Sequence, residues 1–235
     1  MAKPRLYLET TIPSYLTAWP SRDLVRAAHQ QITREWWDTR RHAFDLFVSQ
    51  MVIDEASAGD PEAATRRLEV VAPLPLLDPQ TEGMALAQML IDHIPLPARA
   101  AADALHIAIA VVNGMDYLLT WNCTHIANAA LRGRIEAACR SRGFRVPIIC
   151  TPRRTLGGIS IMAIDPIVAE VRQAREAYAK RFNYDVYAMG RDLQERQQKS
   201  GRTVVALPPK RREHAESDTA VRQREAPNKG MEPTA

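Results

Sequence analysis

The sequence predicts an α/β protein: a parallel sheet of about five strands with helices on both faces, a C-terminal helical appendage and a disordered tail. Three observations carry this. Five short apolar or alternating segments are interleaved with segments of helical, three-and-four spacing, which is the pattern of a parallel sheet with right-handed crossovers. The stretch Ala100–Val112 is nearly all apolar, as a helix packed inside a protein must be. Beyond Thr151 the texture changes, and the charge changes with it. Residues 1–151 carry 15 Lys+Arg against 16 Asp+Glu, whereas residues 152–235 carry 16 against 11.

Taken in order, Arg5–Glu9 (RLYLE) alternates and reads as strand one, ended by Pro13, which cannot donate to a ladder. Ser21 reads as the cap of a helix with Leu24, Val25, Ala28, Ile32 and Trp36 on one face. Phe44, Leu46 and Val48 alternate as strand two. A short helix holding Glu55 follows and closes at Gly59. Asp60-Pro61 starts the next helix, a capping acid with proline in the first turn, and it runs to about Val70. Leu74–Leu77 is strand three and Thr81–Ile91 a helix, with Pro95 and Pro97 after it. Helix Ala98–Val112 ends at Asn113-Gly114. Tyr117–Thr120 is strand four, Ile126–Arg142 a helix closed by Gly143, and Val146–Cys150 strand five.

Past Gly157-Gly158, Asp165-Pro166 starts a helix to about Arg181. Its Ile167, Val168 and Val171 read as inward, and Arg172, Arg175 and Lys180 as outward. A second helix, Asp185–Lys199, ends at Gly201, and Thr203–Leu207 is a candidate strand before Pro208-Pro209. The organisation is therefore a body over residues 1–156, a linker over 157–164, a helical segment over 165–209 and a disordered tail over 210–235, where charge is high and apolar periodicity absent.

Composition narrows the function. The chain has 235 residues, 46% hydrophobic and 25% charged, with net charge +4. The body is close to neutral, so it is no basic nucleic-acid binder by composition; the basic excess lies in the last third. No apolar run reaches the roughly 18 residues of a membrane span, and MAKPRLYLETT reads as no signal peptide. Cys123, Cys139 and Cys150 fit no zinc spacing and read as reduced thiols of a cytoplasmic protein.

Asp103 is the one charge between Arg99 and Asp116, inside the apolar helix. A buried acid is costly unless it is paired or binds a cation. Glu9 closes strand one, Glu55 lies after strand two, and Asn122 lies just past strand four. If strands one and four are neighbours, these four side chains converge on one crevice. Clustered carboxylates call for a cation. An oxygen-only set selects Mg²⁺ or Mn²⁺, which suits metal-assisted hydrolysis of a phosphodiester. Each residue also has a plainer reading. Glu55 would be a surface acid, Glu9 an arginine partner, Asn122 a helix cap and His106 a hydrogen-bonded core histidine rather than a ligand. Asp116 would sit at the entrance to strand four, and Trp36, Trp37 and Trp121 would be core rather than base-stacking platforms.

The pieces YLETTIPSYL, LFVSQMVIDEAS, AADALHIAIA, YLLTWNCTHIAN and PIICTP, in this order and spacing over residues 5–156, resemble PIN-domain proteins of the bacterial toxin–antitoxin type. The branch with a TWN motif is most similar, and it carries only a general nucleic-acid-binding label. The resemblance implies a parallel sheet covered by helices and a Mg²⁺- or Mn²⁺-dependent ribonuclease. It implies catalytic positions at Glu9, Glu55, Asp103 and Asn122, metal ligands at Glu9, Glu55 and Asp103, and substrate-side groups at Thr10, Thr120 and Asn122. Glu9 and Asn122 stand where the pattern usually has Asp, leaving three carboxylates for one metal.

Residues from about Met162 to Arg212 resemble a short helical protein encoded beside such genes, beginning near DPIV and ending near LPP. The implied arrangement is an endoribonuclease acting on RNA and fused to its antitoxin-like partner. That segment would fold over the crevice in cis or in a neighbouring protomer of a homodimer, with Arg191 or Arg196 answering the acids. The alternative is a catalytically weak or inactive nucleic-acid-binding protein regulated by the same segment.

Overall fold

The computed structural model describes residues 2–94, 100–155 and 166–211. The expected linker over 157–164, the Asp165 cap, Pro95, Pro97 and the tail from residue 212 lie outside the described residues.

The strands are β1 (Arg5–Leu8), β2 (Asp45–Ser49), β3 (Leu76–Leu77), β4 (Tyr117–Leu119), β5 (Ile148–Cys150) and β6 (Val204–Val205). They form one all-parallel sheet in the order β5-β4-β1-β2-β3-β6. Among the described residues the sheet therefore has six strands, not about five. The extra strand is the two-residue Val204–Val205 of the appended segment, which lies along β3 with Leu76 opposite Val204. It falls inside the candidate strand Thr203–Leu207, shortened to two residues.

Helices α1 (Thr11–Thr17), α2 (Leu24–Thr39), α3 (Gln50–Ala56), α4 (Pro61–Val71), α5 (Thr81–His93), α6 (Ala101–Val112), α7 (Ala129–Ser141) and α8 (Pro152–Thr155) connect the strands of the body. Helices α9 (Pro166–Arg181) and α10 (Val186–Lys199) precede β6. The sequence reading misses α1, because Pro13 looks like a strand end; it sits instead in the first helical turn, where a missing N–H costs nothing. The cap of α2 is Asp23, whose carboxylate accepts from Arg26 N at 2.9 Å, and not Ser21. Asp60 caps α4 as expected, accepting from Ala63 N at 2.9 Å.

Every residue of α6 is buried. The helix packs against β4 and α5, and also against α9 and α10, which explains its unbroken apolar surface. No helix among the described residues is long and apolar enough to cross a membrane.

The appended segment is tied down at several points. Arg202 donates to the carbonyls of Val71 at 2.6 Å and Leu74 at 2.7 Å. Gln194 reaches Asp78 at 3.0 Å, and Arg196 pairs with Asp54 at 2.5 Å. Lys210 and Arg211, expected to begin the disordered tail, are also fixed. Lys210 Nζ lies 2.5 Å from Asp116 and Arg211 lies 2.7 Å from Glu82. This stretch crosses Gly114, which has φ +61°; a Cβ there would lie 2.5 Å from Pro208 O. Asp116 also accepts from Arg5 N at 3.0 Å, which keeps it at the entrance to β4 as expected.

Fully buried Asn113 joins the body to this segment. Its amide donates to Asp78 O at 2.8 Å and Ile109 O at 2.9 Å, and its carbonyl accepts from Gln80 and Leu207 N, each at 3.0 Å. Asn113→Ala leaves these partners unpaired and should cost about 2–4 kcal/mol in a urea melt. Amide exchange at Leu207 should accelerate with it.

Candidate functional site

The strand order reverses between β1 and β4, and in open parallel sheets ligands bind beyond the strand ends at such a point. Register brings the site together there. Leu8 lies opposite Leu119, so the next residues, Glu9 and Thr120, are adjacent. Glu9 N donates to Leu119 O at 3.1 Å, and Thr120 Oγ1 donates to Glu9 Oε2 at 2.5 Å. Thr11 donates to the same Glu9 oxygen through both its backbone N–H, at 3.2 Å, and its hydroxyl.

Glu55 approaches from α3 and Asp103 from the first turn of α6. Glu9, Glu55 and Asp103 are all buried. They are tied to one cation, the guanidinium of Arg175 from α9, itself only 2% exposed. Its Nε donates to Glu55 Oε1 at 2.8 Å and one terminal nitrogen donates to Asp103 Oδ1 at 2.7 Å. The other terminal nitrogen donates to Glu9 Oε1 and, at 3.0 Å, to Glu55 Oε2. The residue answering the acids is therefore Arg175, neither Arg191 nor Arg196. Arg175, expected to face outward, lies on the buried stripe of α9 with Val168, Val171 and Tyr178.

Two further groups hold Asp103. Asn122 Nδ2 donates to Oδ1 at 2.8 Å, and His125 Nδ1 lies 2.7 Å from Oδ2. Asn122 Oδ1 accepts from Arg172 at 3.1 Å and, more weakly, from His125 N at 3.4 Å, so Asn122 also closes the turn after β4. A carboxylate at 122 would have no proton to give Asp103 and would repel it; the amide donates and accepts at once. Thr10 Oγ1 donates to Glu55 Oε2.

His106 is fully buried, with Nε2 3.0 Å from Glu55 Oε1 and Nδ1 2.7 Å from the Tyr7 hydroxyl. Both ring nitrogens are therefore hydrogen-bonded in the core, with Nε2 turned towards the acids. Trp36 and Trp121 are core residues, and Trp37 is half-buried.

Burial pushes the Glu55 carboxyl up, but Arg175 and His106 outweigh it and bring it down to about 2. Asp103 is likewise penalised by burial and lowered overall, by Arg175 and His125. Arg175 is penalised by burial yet held well above its ordinary value by Glu55, Glu9 and Asp103. Arg175 thus favours the ionised forms of Glu55 and Asp103 despite their burial.

Its oxygen donors suit Mg²⁺ or Mn²⁺. Among the described residues, Glu9, Glu55 and His106 offer ligand atoms all within 4.8 Å of one another, and they could hold a metal ion. Asp103 stands outside that tighter group and joins it through Arg175. The donor set fits a divalent cation, but the guanidinium lies among the same oxygens, so a metal and Arg175 are alternatives there.

A cavity of about 540 Å³ opens beside the cluster, lined by Asp103, His125, Arg172, Arg175 and Glu176. A larger open groove of about 980 Å³, lined in part by Lys3, Trp37, Phe44 and Leu74, lies at the opposite ends of the strands, away from the acids.

Sequence reasoning misses Arg175, Arg172 and His125. For Arg175 the signal was present: positions 168, 171, 175 and 178 follow helical spacing, so an arginine falls on an apolar stripe. His125 lies three residues past Asn122 with no such mark. Comparison of the chain with known protein families, curated proteins and solved structures found no match.

Removing the guanidinium strands three buried carboxylates. Arg175→Ala should lose about 3–5 kcal/mol at pH 7 in a denaturant melt. The pH dependence follows from the signs. Glu55 titrates near 4.3 when unfolded and near 2 when folded, so its contribution is complete above about pH 5 and lost as pH falls through 4 towards 2. Without Arg175, burial favours the neutral acids, so the gap between variant and wild type should narrow as pH falls.

Proposed function

We propose that this chain is a metal-dependent endoribonuclease of the toxin–antitoxin type, with a PIN-like body and an antitoxin-like segment that holds its own active site shut. The carrying observation is the convergence of Glu9, Glu55 and Asp103, from three separate places in the sequence, on one buried arginine of the appended segment, with Asn122 donating to Asp103 beside them. An arginine plug is the expected counterpart of a crevice built for a cation.

Glu9 and Glu55, with Asp103, would hold Mg²⁺ or Mn²⁺, which would supply a Lewis acid for the phosphodiester and a more acidic water. Thr120 and Thr11 fix the rotamer of Glu9, and Thr10 fixes Glu55, so the carboxylates are aimed before any ligand arrives. Asn122 orients Asp103 through its amide N–H. Arg172 and His125 line the adjoining cavity and offer positive charge and N–H groups to a phosphate.

The second reading is a nucleic-acid-binding protein without catalysis. The uncharged Asn122 and the many anchors of the appended segment favour it. It predicts salt-sensitive RNA binding that needs no metal and survives loss of Asp103.

The test uses the full-length chain, because truncation near Thr151 would also strip β6 from the sheet. Arg175→Ala should raise Mg²⁺- or Mn²⁺-dependent cleavage of a single-stranded RNA at least about tenfold. Adding Asp103→Asn should abolish the gain. Negligible cleavage by wild type, Arg175→Ala and the double variant alike would sink the nuclease reading.

A further inference from the structure

We infer that the metal position in this crevice carries a nitrogen ligand, His106 Nε2, beside the carboxylates of Glu9 and Glu55, so that it takes a first-row transition ion in preference to Mg²⁺. The inference deepens the reading above and rests on it for the presence of a metal.

Three features of the crevice point this way. The first is distance. The ligand atoms of Glu9, Glu55 and His106 lie within 4.8 Å of one another. Opposite ligands on a small divalent cation are about 4.2 Å apart, so modest closure around an ion suffices. The second is the stand-in cation. The guanidinium of Arg175 bridges Glu9 Oε1 and Glu55, and its Nε donates to Glu55 Oε1, the oxygen that His106 Nε2 also faces at 3.0 Å. A cation taking its place between those carboxylates comes to lie beside Nε2.

The third is the support behind the ring. A ligating histidine needs its far nitrogen held by a hydrogen bond. His106 Nδ1 lies 2.7 Å from the Tyr7 hydroxyl, which lies 2.7 Å from Ser49 Oγ. Both oxygens can donate or accept. With Arg175 in place, Tyr7 donates to Nδ1 and Nε2–H donates to Glu55. With a metal in place, the direction reverses: Nδ1–H donates to Tyr7, Tyr7 donates to Ser49, and Nε2 presents a lone pair. Burial raises the Tyr7 hydroxyl, which therefore stays protonated and serves in either direction.

Two other titratable groups near the position do not replace His106. Asp103 Oδ1 accepts from Asn122, its Oδ2 faces His125, and His125 spends Nδ1 on Asp103. Oxygen-only sets suit Mg²⁺, whereas an imidazole in the set favours transition ions.

The experiment is Mn²⁺ binding to full-length Arg175→Ala, followed by electron paramagnetic resonance with Mg²⁺ competition. One Mn²⁺ per chain is expected, at least about tenfold tighter than Mg²⁺, with a pulsed-resonance coupling to an imidazole nitrogen. Adding His106→Gln should remove the coupling and bring the two ions to within about threefold. If Arg175→Ala does not fold, Arg175→Met, which keeps the apolar stem, takes its place. An oxygen-only Mn²⁺ shell, a coupling that survives His106→Gln, or no saturable binding by a folded variant would overturn the inference. RNA cleavage measured in parallel separates the two readings. Nitrogen coupling without cleavage keeps this site and removes the nuclease; cleavage with an oxygen-only shell does the reverse.

Discussion

Three buried carboxylic side chains and one buried guanidinium meet at one point, and the arrangement of this chain follows from keeping them together. Each would pay heavily for leaving water alone. The guanidinium of Arg175 meets that need because its planar fork presents donors in three directions at once, and the carboxylates arrive from β1, α3 and α6. A lysine ammonium has no such fixed fork. For the same reason α9 sits over the ends of β1 and β4: a helix elsewhere would leave the acids bare.

The first turns around the crevice show what this arrangement takes from local structure. Thr10 and Ser49 stand at helix starts, where a hydroxyl ordinarily caps a free N–H. Neither side chain caps its helix. Thr10 gives its hydroxyl to Glu55, and Ser49 places its own against Tyr7. Asp23, Asp60 and Asp185, at helix starts away from the acids, all cap normally. The exceptions mark the site as clearly as the acids do.

Much of the fold was legible because its signals are local. Short apolar runs and turn residues mark β1 to β5, and Asp60-Pro61 starts a helix whatever surrounds it. The same locality misleads where one residue has two uses: Pro13 ends a strand or starts a helix, and only the packing of α1 decides. β6 is two residues long and exists because β3 offers it an edge. At the site, Asp103 was legible as a lone charge in an apolar helix, and the convergence of Glu9, Glu55, Asp103 and Asn122 follows once β1 and β4 are neighbours. Arg175 broke an apolar stripe in the same way, but arginines are so often outward that the break read as surface. The pairing of His106 with Glu55 spans 51 residues and leaves no trace in spacing.

Placing the plug and the crevice on one chain has a kinetic and thermodynamic consequence. Arg175 and the three carboxylates belong to one chain, so the guanidinium meets them at an effective concentration that does not depend on the amount of protein. Dilution cannot open such a site, as it would open a complex of two separate chains. The ratio of the guanidinium to the carboxylates it answers is fixed at one, because both belong to the same chain. What remains able to shift the balance is a competitor for the same oxygens or a cut in the chain between β5 and α9.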